Sequence, residues 1–152
     1  MLRIKLGRRR ELLKPLANQL YRTVEASGLA EGCTIIAPIP SDPLADLRRG
    51  FSPSLELSRH LSRDLGISRH GALILRRLLR GRALKRLGPA ERRKRAMEAF
   101  IVRQRLNGES VLLVDDVMTT GASLDACARS LKEAGASEVR AAIWARTLPG
   151  RR

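Results

Sequence analysis

From Glu11 to Ala26 the apolar positions Leu13, Leu16, Ala17, Leu20 and Val24 recur at the three-and-four spacing of an amphipathic helix, and Gly28 supplies its stop. Pro15 fits the first turn, where its missing N–H costs little. Cys33–Pro40 is a short β-branched apolar run that reads as a buried strand ending in a loop. The helical spacing returns over Ser54–Leu65, with Leu55, Leu57, Leu61 and Leu65 apolar and Gly66 closing it. Ala72–Leu75 reads as a second strand. Arg76–Arg95 is basic and weakly patterned, broken by Gly81, Gly88 and Pro89. Ala99–Val102 reads as a short strand, and Ser110–Val114 as one buried on both faces. Ala122–Ala134 is helical and capped by Gly135, and Val139–Ala145 is the last strand. Strands alternating with helices predict a parallel sheet, because parallel neighbours require a crossover connection.

Composition narrows the class. The 152 residues suit one domain, and 43% hydrophobic content is enough for a real core. Only Tyr21, Phe51, Phe100 and Trp144 are aromatic, so Leu, Ile, Val and Ala must build that core. The longest apolar stretch, Ile35–Pro40, is far shorter than the ~20 residues of a membrane span. Met1–Lys14 is basic without an apolar stretch, so no signal peptide is expected. Cys33 and Cys127 are too few and too far apart for a zinc knuckle or a disulfide framework. A soluble protein of the cytoplasm, with no membrane insertion and no zinc, is the expectation.

The net charge of +15 is unevenly placed. Residues 76–105 hold twelve Lys/Arg against two acids, and residues 1–14 hold six against one. The rest of the chain is balanced. Such excess bears on partners (phosphates, nucleic acid, acidic surfaces) rather than on fold. Arg-rich surfaces that simply follow genome composition would give the same arithmetic.

The chemistry concentrates in Val111-Leu-Leu-Val-Asp-Asp-Val-Met-Thr-Thr-Gly-Ala-Ser123. A buried strand runs into two adjacent carboxylates, and a Thr/Gly loop then opens a helix. Ligands of open α/β sheets bind beyond the carboxyl ends of strands. Asp115 and Asp116 therefore sit where a ligand would be, and carboxylates accept hydrogen bonds from a vicinal diol. Thr119, Thr120 and Ser123 supply hydroxyl donors, and Gly121 lets backbone N–H groups approach. The helix starting near Ala122 adds its unpaired N–H groups, an anion site. Acids for a sugar beside donors for a phosphate describe a phosphorylated ribose. The pattern is not an ATP P-loop, since no Gly-x-x-x-x-Gly-Lys-Ser/Thr occurs. An Asp-Asp pair taken alone would as readily end a strand and cap a turn.

This segment resembles the phosphoribosyl pyrophosphate signature of type I phosphoribosyltransferases, and within them the chain resembles the ComF family of competence-associated proteins. The supporting residues are Ile4-Lys5 with Gly7, Pro38-Ile-Pro40, Leu47-Arg-Arg-Gly-Phe51, Glu91-Arg92 before Ala99-Phe100, the Asp-Asp segment and Ala145-Arg146. They span about residues 3 to 147. Three features depart from the family pattern. The Cys-rich zinc ribbon with which members usually begin is not in this chain. Arg-Gly-Phe-Asn-Gln is here Arg49-Gly-Phe-Ser-Pro53. Lys85 or a neighbour stands for the usual Gln of the central loop, and Arg95 for the Asn after Glu-Arg.

The resemblance implies a type I phosphoribosyltransferase fold with about five mostly parallel strands, flanking helices and a small hood. It implies that Asp115 and Asp116 bind the ribose hydroxyls and serve as the catalytic pair. Thr119, Thr120, Gly121, Ala122 and Ser123 would cradle the 5′-phosphate. The loop Pro40–Arg49 would hold the pyrophosphate through Pro40, Ser41 and Asp42, with Arg48 and Arg49 as counter-charges. Mg²⁺ would bridge ligand oxygens with few protein ligands, and the segment of about 76–95 would be the mobile loop that closes the site. Leaving-group stabilisation needs no protein nucleophile, so His60 and His70 read as surface residues of a helix and a turn. The enzyme reading stands beside a second one. There the pocket senses its ligand while basic segments, with Arg92, Arg93, Lys94 and Arg95 foremost, bind single-stranded DNA or DNA-uptake proteins. Salt-dependent phosphate contacts would carry that binding, although no aromatic platform for bases lies between Phe51 and Phe100.

Overall fold

The computed structural model describes residues 10–70, 73–76 and 99–147. Most of the basic segment, including Lys85 and Arg92, Arg93, Lys94 and Arg95, lies outside the described residues. So do Ile4, Lys5 and Gly7.

A 3-10 turn, Arg10–Leu12, leads into helix α1, Leu13–Ala26. Its buried face is Leu13, Ala17, Leu20 and Val24, the stripe the periodicity predicts. Strand β1 is Ile35–Pro38, buried at every position. A short helix α2, Pro43–Arg49, then precedes α3, Pro53–Leu65. Strand β2 is Ser68–Arg69, β3 is Ile74–Arg76, β4 is Phe100–Val102 and β5 is Ser110–Met118. Helix α4, Ala122–Glu133, and strand β6, Glu138–Arg146, complete the described elements.

The strands divide into two sheets. β2, β1, β5 and β6 lie in that order, all parallel. β3 and β4 form a separate antiparallel pair, with Leu75 opposite Ile101. The alternation predicted one sheet of about five strands; the described residues give four plus a two-stranded arm. The arm's two runs are 23 residues apart in sequence, so no turn residues between them signal a hairpin.

Two layers cover the parallel sheet. Side chains alternate across a strand, so Val111 and Leu113 of β5 face one way and Leu112 and Val114 the other. Val111 and Leu113 join Ile35, Ala37, Leu73, Phe100, Ala126, Cys127 and Leu131, which brings α4 and the arm to that face. Leu112 and Val114 join Ala17, Leu20, Val24, Cys33, Leu57 and Leu61, which brings α1 and α3 to the other. The sheet therefore separates the two cysteines. Gly135, with φ +109°, ends α4 where a Cβ would come within 2.1 Å of the Leu106 carbonyl oxygen. Only glycine fits there.

Candidate functional site

β5 is longer than its apolar run predicts. It pairs with β1 as far as Val114, opposite Pro38, and with β6 as far as Met118, opposite Arg146. From Asp115 onward it has a neighbour on one side only. Asp115 and Asp116 thus stand on a paired, fixed backbone while the chain beyond β1 turns away. That is the carboxyl edge of the sheet.

Both carboxylates are half-buried. Asp115 lies on the α4 face and Asp116 on the α1–α3 face, yet the two side chains reach each other over the strand end. Burial, then the charge of Asp116 and the side-chain contact with it, push the Asp115 carboxyl up to about 7; the Asp116 N–H, donating to Asp115 Oδ1 at 2.9 Å, partly opposes this. Among the described residues no cation pairs with either acid. The pair is acceptor-rich and uncompensated.

The loop after them is donor-rich. Thr119 and Thr120 are exposed, and Gly121 takes φ +79°, a left-handed conformation that favours glycine. α4 starts at Ala122 with no side chain capping it. Only a long contact, Ala122 N–H to Thr120 Oγ1 at 3.4 Å, engages its first turn. Orphan N–H groups at a helix start attract anions. Ala122 and the Ser123 hydroxyl are exposed beside them.

The segment after β1 differs from its predicted form. Asp42 is the N-cap of α2, accepting from the Leu44 N–H at 2.9 Å, and Pro43 is the first helical residue. Arg49 Nη2 pairs with Asp46 Oδ1 at 2.8 Å, and its buried Nε has no partner. Ser41 Oγ donates to Asp46 Oδ2 and lies 3.1 Å from Ser52 Oγ. Ser54 Oγ donates to the Ile39 carbonyl at 2.7 Å. Arg48 is exposed with no ion pair among the described residues. Ser41, Asp46, Ser52 and Ser54 wall a cleft of about 280 Å³ with Pro38, Pro40, Leu55 and Ile74, and neither Arg48 nor Arg49 is part of its lining.

All the predicted ribose, phosphate and pyrophosphate residues therefore lie at one edge, on β5, α4 and the β1–α3 connection. The predictions missed Asp46, Ser52 and Ser54. Asp-Pro at 42–43, Asp46 three residues before Arg49, and Gly50 after it were a helix signal in the sequence. Among the described residues, no three His, Cys, Asp or Glu groups come together. A divalent cation fits here only through ligand oxygens with help from the Asp115–Asp116 pair, as Mg²⁺ commonly binds.

A parallel sheet between helical layers, with an acidic pair and an uncapped helix start at its carboxyl edge, has the type I phosphoribosyltransferase fold. Residues 47–151 match the phosphoribosyl transferase domain family, and the chain belongs to that family. The DNA utilization proteins YhgH of Salmonella typhi and Escherichia coli (strain K12) are each 32% identical over 149 residues, covering 95% of this chain. Competence protein F of Haemophilus influenzae is 30% identical over 112 residues, 72% of this chain and 48% of its own. The chain spans 65% of the length of the YhgH relatives. Among solved structures, TT1426 from Thermus thermophilus superposes with a TM-score of 0.50 at 15% identity, over 96% of this chain and 86% of that one.

Proposed function

We propose that the protein binds phosphoribosyl pyrophosphate and transfers its phosphoribosyl group to an acceptor, in the cytoplasm and in the service of DNA uptake. The observation that carries the reading is the Asp115–Asp116 pair, unpaired by any cation among the described residues, beside the uncapped start of α4. Ionised, the two acids accept hydrogen bonds from the ribose 2′- and 3′-hydroxyls. The N–H groups of Thr120 to Ser123, with the Thr and Ser hydroxyls, hold the 5′-phosphate. The C1–oxygen bond to pyrophosphate breaks with its electron pair leaving on pyrophosphate. The acceptor forms the new bond to C1 and gives up its proton to the departing pyrophosphate or to solvent. Arg48 stands ready for the leaving group, and Arg49 joins it on release from Asp46. Bound Mg²⁺ would neutralise pyrophosphate charge through the ligand's own oxygens.

The names of the relatives, Competence protein F and DNA utilization protein YhgH, support the link to DNA uptake. The surplus of basic residues in 76–105 supports a second reading, in which the site senses its ligand and Arg92–Arg95 hold single-stranded DNA. Among the described residues no helix is long and apolar enough to cross a membrane. Thermal unfolding with phosphoribosyl pyrophosphate and Mg²⁺ tests the site common to both readings. A rise in Tm in the native chain that Asp116→Asn abolishes is expected. No rise in the native chain overturns them, and labelled phosphoribosyl transfer to candidate acceptors separates them.

A further inference from the structure

A second cleft, of about 440 Å³, opens at the base of the β3–β4 arm and is lined by Arg69, His70, Leu73, Arg103 and Gln104. It lies away from the acidic pair. Arg69 is level with Ile36, near the start of β1, whereas Asp115 lies beyond the level of Pro38 and two strands across the sheet. At 3.3 Å per residue and 4.8 Å per strand the two positions are about 14 Å apart.

The charge of the cleft is of one sign. Among the described residues no Asp or Glu lines it, and neither Arg69 nor Arg103 makes an ion pair. Other described arginines, Arg48, Arg105, Arg129 and Arg146 among them, also make no ion pair among the described residues; Arg69 and Arg103 differ in converging on one cleft. The backbone carrying the cleft is pinned. The His70 N–H donates to the Ile36 carbonyl at 2.9 Å, Leu73 N–H to His70 at 3.1 Å, and Arg103 N–H to Leu73 at 2.9 Å. Leu73 is core. Two guanidiniums, an imidazole and an amide are therefore mounted on one hydrogen-bonded junction between sheet and arm.

We propose that this cleft is a second phosphate-binding site, distinct from the one that takes the phosphoribosyl ligand. Guanidinium groups present a planar fork of donors that matches phosphate oxygens. The cleft holds no aromatic ring on which a base could stack, so recognition is of the phosphate itself. The phosphate is carried either by a nucleic-acid strand or by a small anion, and both present the same oxygens.

The test uses the full chain with two probes. Inorganic phosphate is titrated while the Leu73 and Gln104 amides and the Arg69 and Arg103 Nε–H groups are followed by NMR. A labelled dT20 oligonucleotide is titrated by fluorescence anisotropy over a salt series. Saturable shifts at those groups are expected in the native chain, and those of the Leu73 and Gln104 amides should be lost in the Arg69→Ala/Arg103→Ala double variant. The rise in Tm with phosphoribosyl pyrophosphate should persist in that variant, so this site and the acidic pair fail or succeed separately. A fall in oligonucleotide affinity of about fivefold or more, with a salt slope smaller by about 1–2, assigns the site to a strand. Unchanged oligonucleotide affinity with the phosphate shifts present assigns it to a small anion. The absence of saturable shifts in the native chain, or their survival in the double variant, overturns the proposal. Arg103→Ala alone, at an exposed position, repeats the test if the double variant does not fold.

Discussion

The two halves of the carboxyl edge are built on opposite terms. On β5 and α4 the polar groups are left wanting. Among the described residues no cation pairs with Asp115 or Asp116, and the first turn of α4 has no side-chain cap. On the β1–α3 connection the polar groups satisfy one another: Asp42 caps α2, Asp46 holds Arg49 and Ser41, and Ser54 holds the Ile39 carbonyl. In the first half like charges crowd each other, and on the proposed reading the hydroxyls and phosphate of a ligand would supply the missing partners. The second is largely self-satisfied, the buried Arg49 Nε excepted, and Arg49 must leave Asp46 to bind a ligand through its Nη2. If the proposed site is right, stability and ligand affinity trade against each other mainly on the β5 side.

That contrast can be broken most forcefully at Asp115. With the carboxyl pushed up to about 7 from its ordinary value of 3.8, the folded chain keeps a proton that the unfolded chain has released between those values. Its contribution to stability is full below pH 4 and lost as the pH rises through 7. Asp115→Asn should therefore be more stable than the native chain at pH 8, by about 1–3 kcal/mol, and equal to it at pH 4. Urea unfolding at the two pH values measures this. Equal stabilities at pH 8 would mean that the pair is not strained.

Gly121→Ala comes next. The left-handed φ of +79° costs a residue with a Cβ about 1–2 kcal/mol, although the added methyl meets only Met118 Sδ at 3.7 Å. The loss in urea unfolding should be accompanied by weaker phosphate binding, since the loop N–H groups shift. On the other half, Asp42→Ala removes the cap of α2 at a cost of about 1 kcal/mol. This change should leave ribose 5-phosphate affinity unaltered, which calorimetry would show. Asp46→Ala sharpens the comparison with the smallest effect on stability. The Arg49 pair is partly solvent-exposed, so losing it costs roughly 0.2–1 kcal/mol. The freed Arg49 should raise pyrophosphate affinity about twofold to fivefold by adding one charge-assisted contact. Weaker binding would place Asp46 on the ligand's side instead.

The sequence was most legible where one residue period ran uninterrupted. The stripes of α1, α3 and α4 and the apolar runs of β1, β5 and β6 each gave the element within a few residues. β5 alone ran well past its apolar signal, because Asp115 to Met118 stay hydrogen-bonded to β6 without burying an apolar face. β2 was not legible: two residues, Ser68 and Arg69, carry no period, and only pairing with Ile35 and Ile36 makes them a strand. α2 was missed for another reason. It has no buried residue, and Leu44 and Leu47 point to solvent, so hydrophobic patterning is silent and only its caps announce it. The strand, acids and loop of Val111–Ser123 could be read together because they are contiguous. The arrangement around Arg69, His70 and Arg103 could not, since it joins residues more than thirty positions apart.

The most direct measurement on the central claim is a calorimetric titration of ribose 5-phosphate at pH 8 into the native chain and into Asp116→Asn. This ligand carries the diol and the 5′-phosphate and lacks the pyrophosphate, so it addresses the β5–α4 half alone. Saturable binding to the native chain, weakened at least tenfold in the variant, is predicted. No binding to the native chain, or equal affinity in both, would contradict the assignment of Asp115 and Asp116 to a phosphorylated ribose.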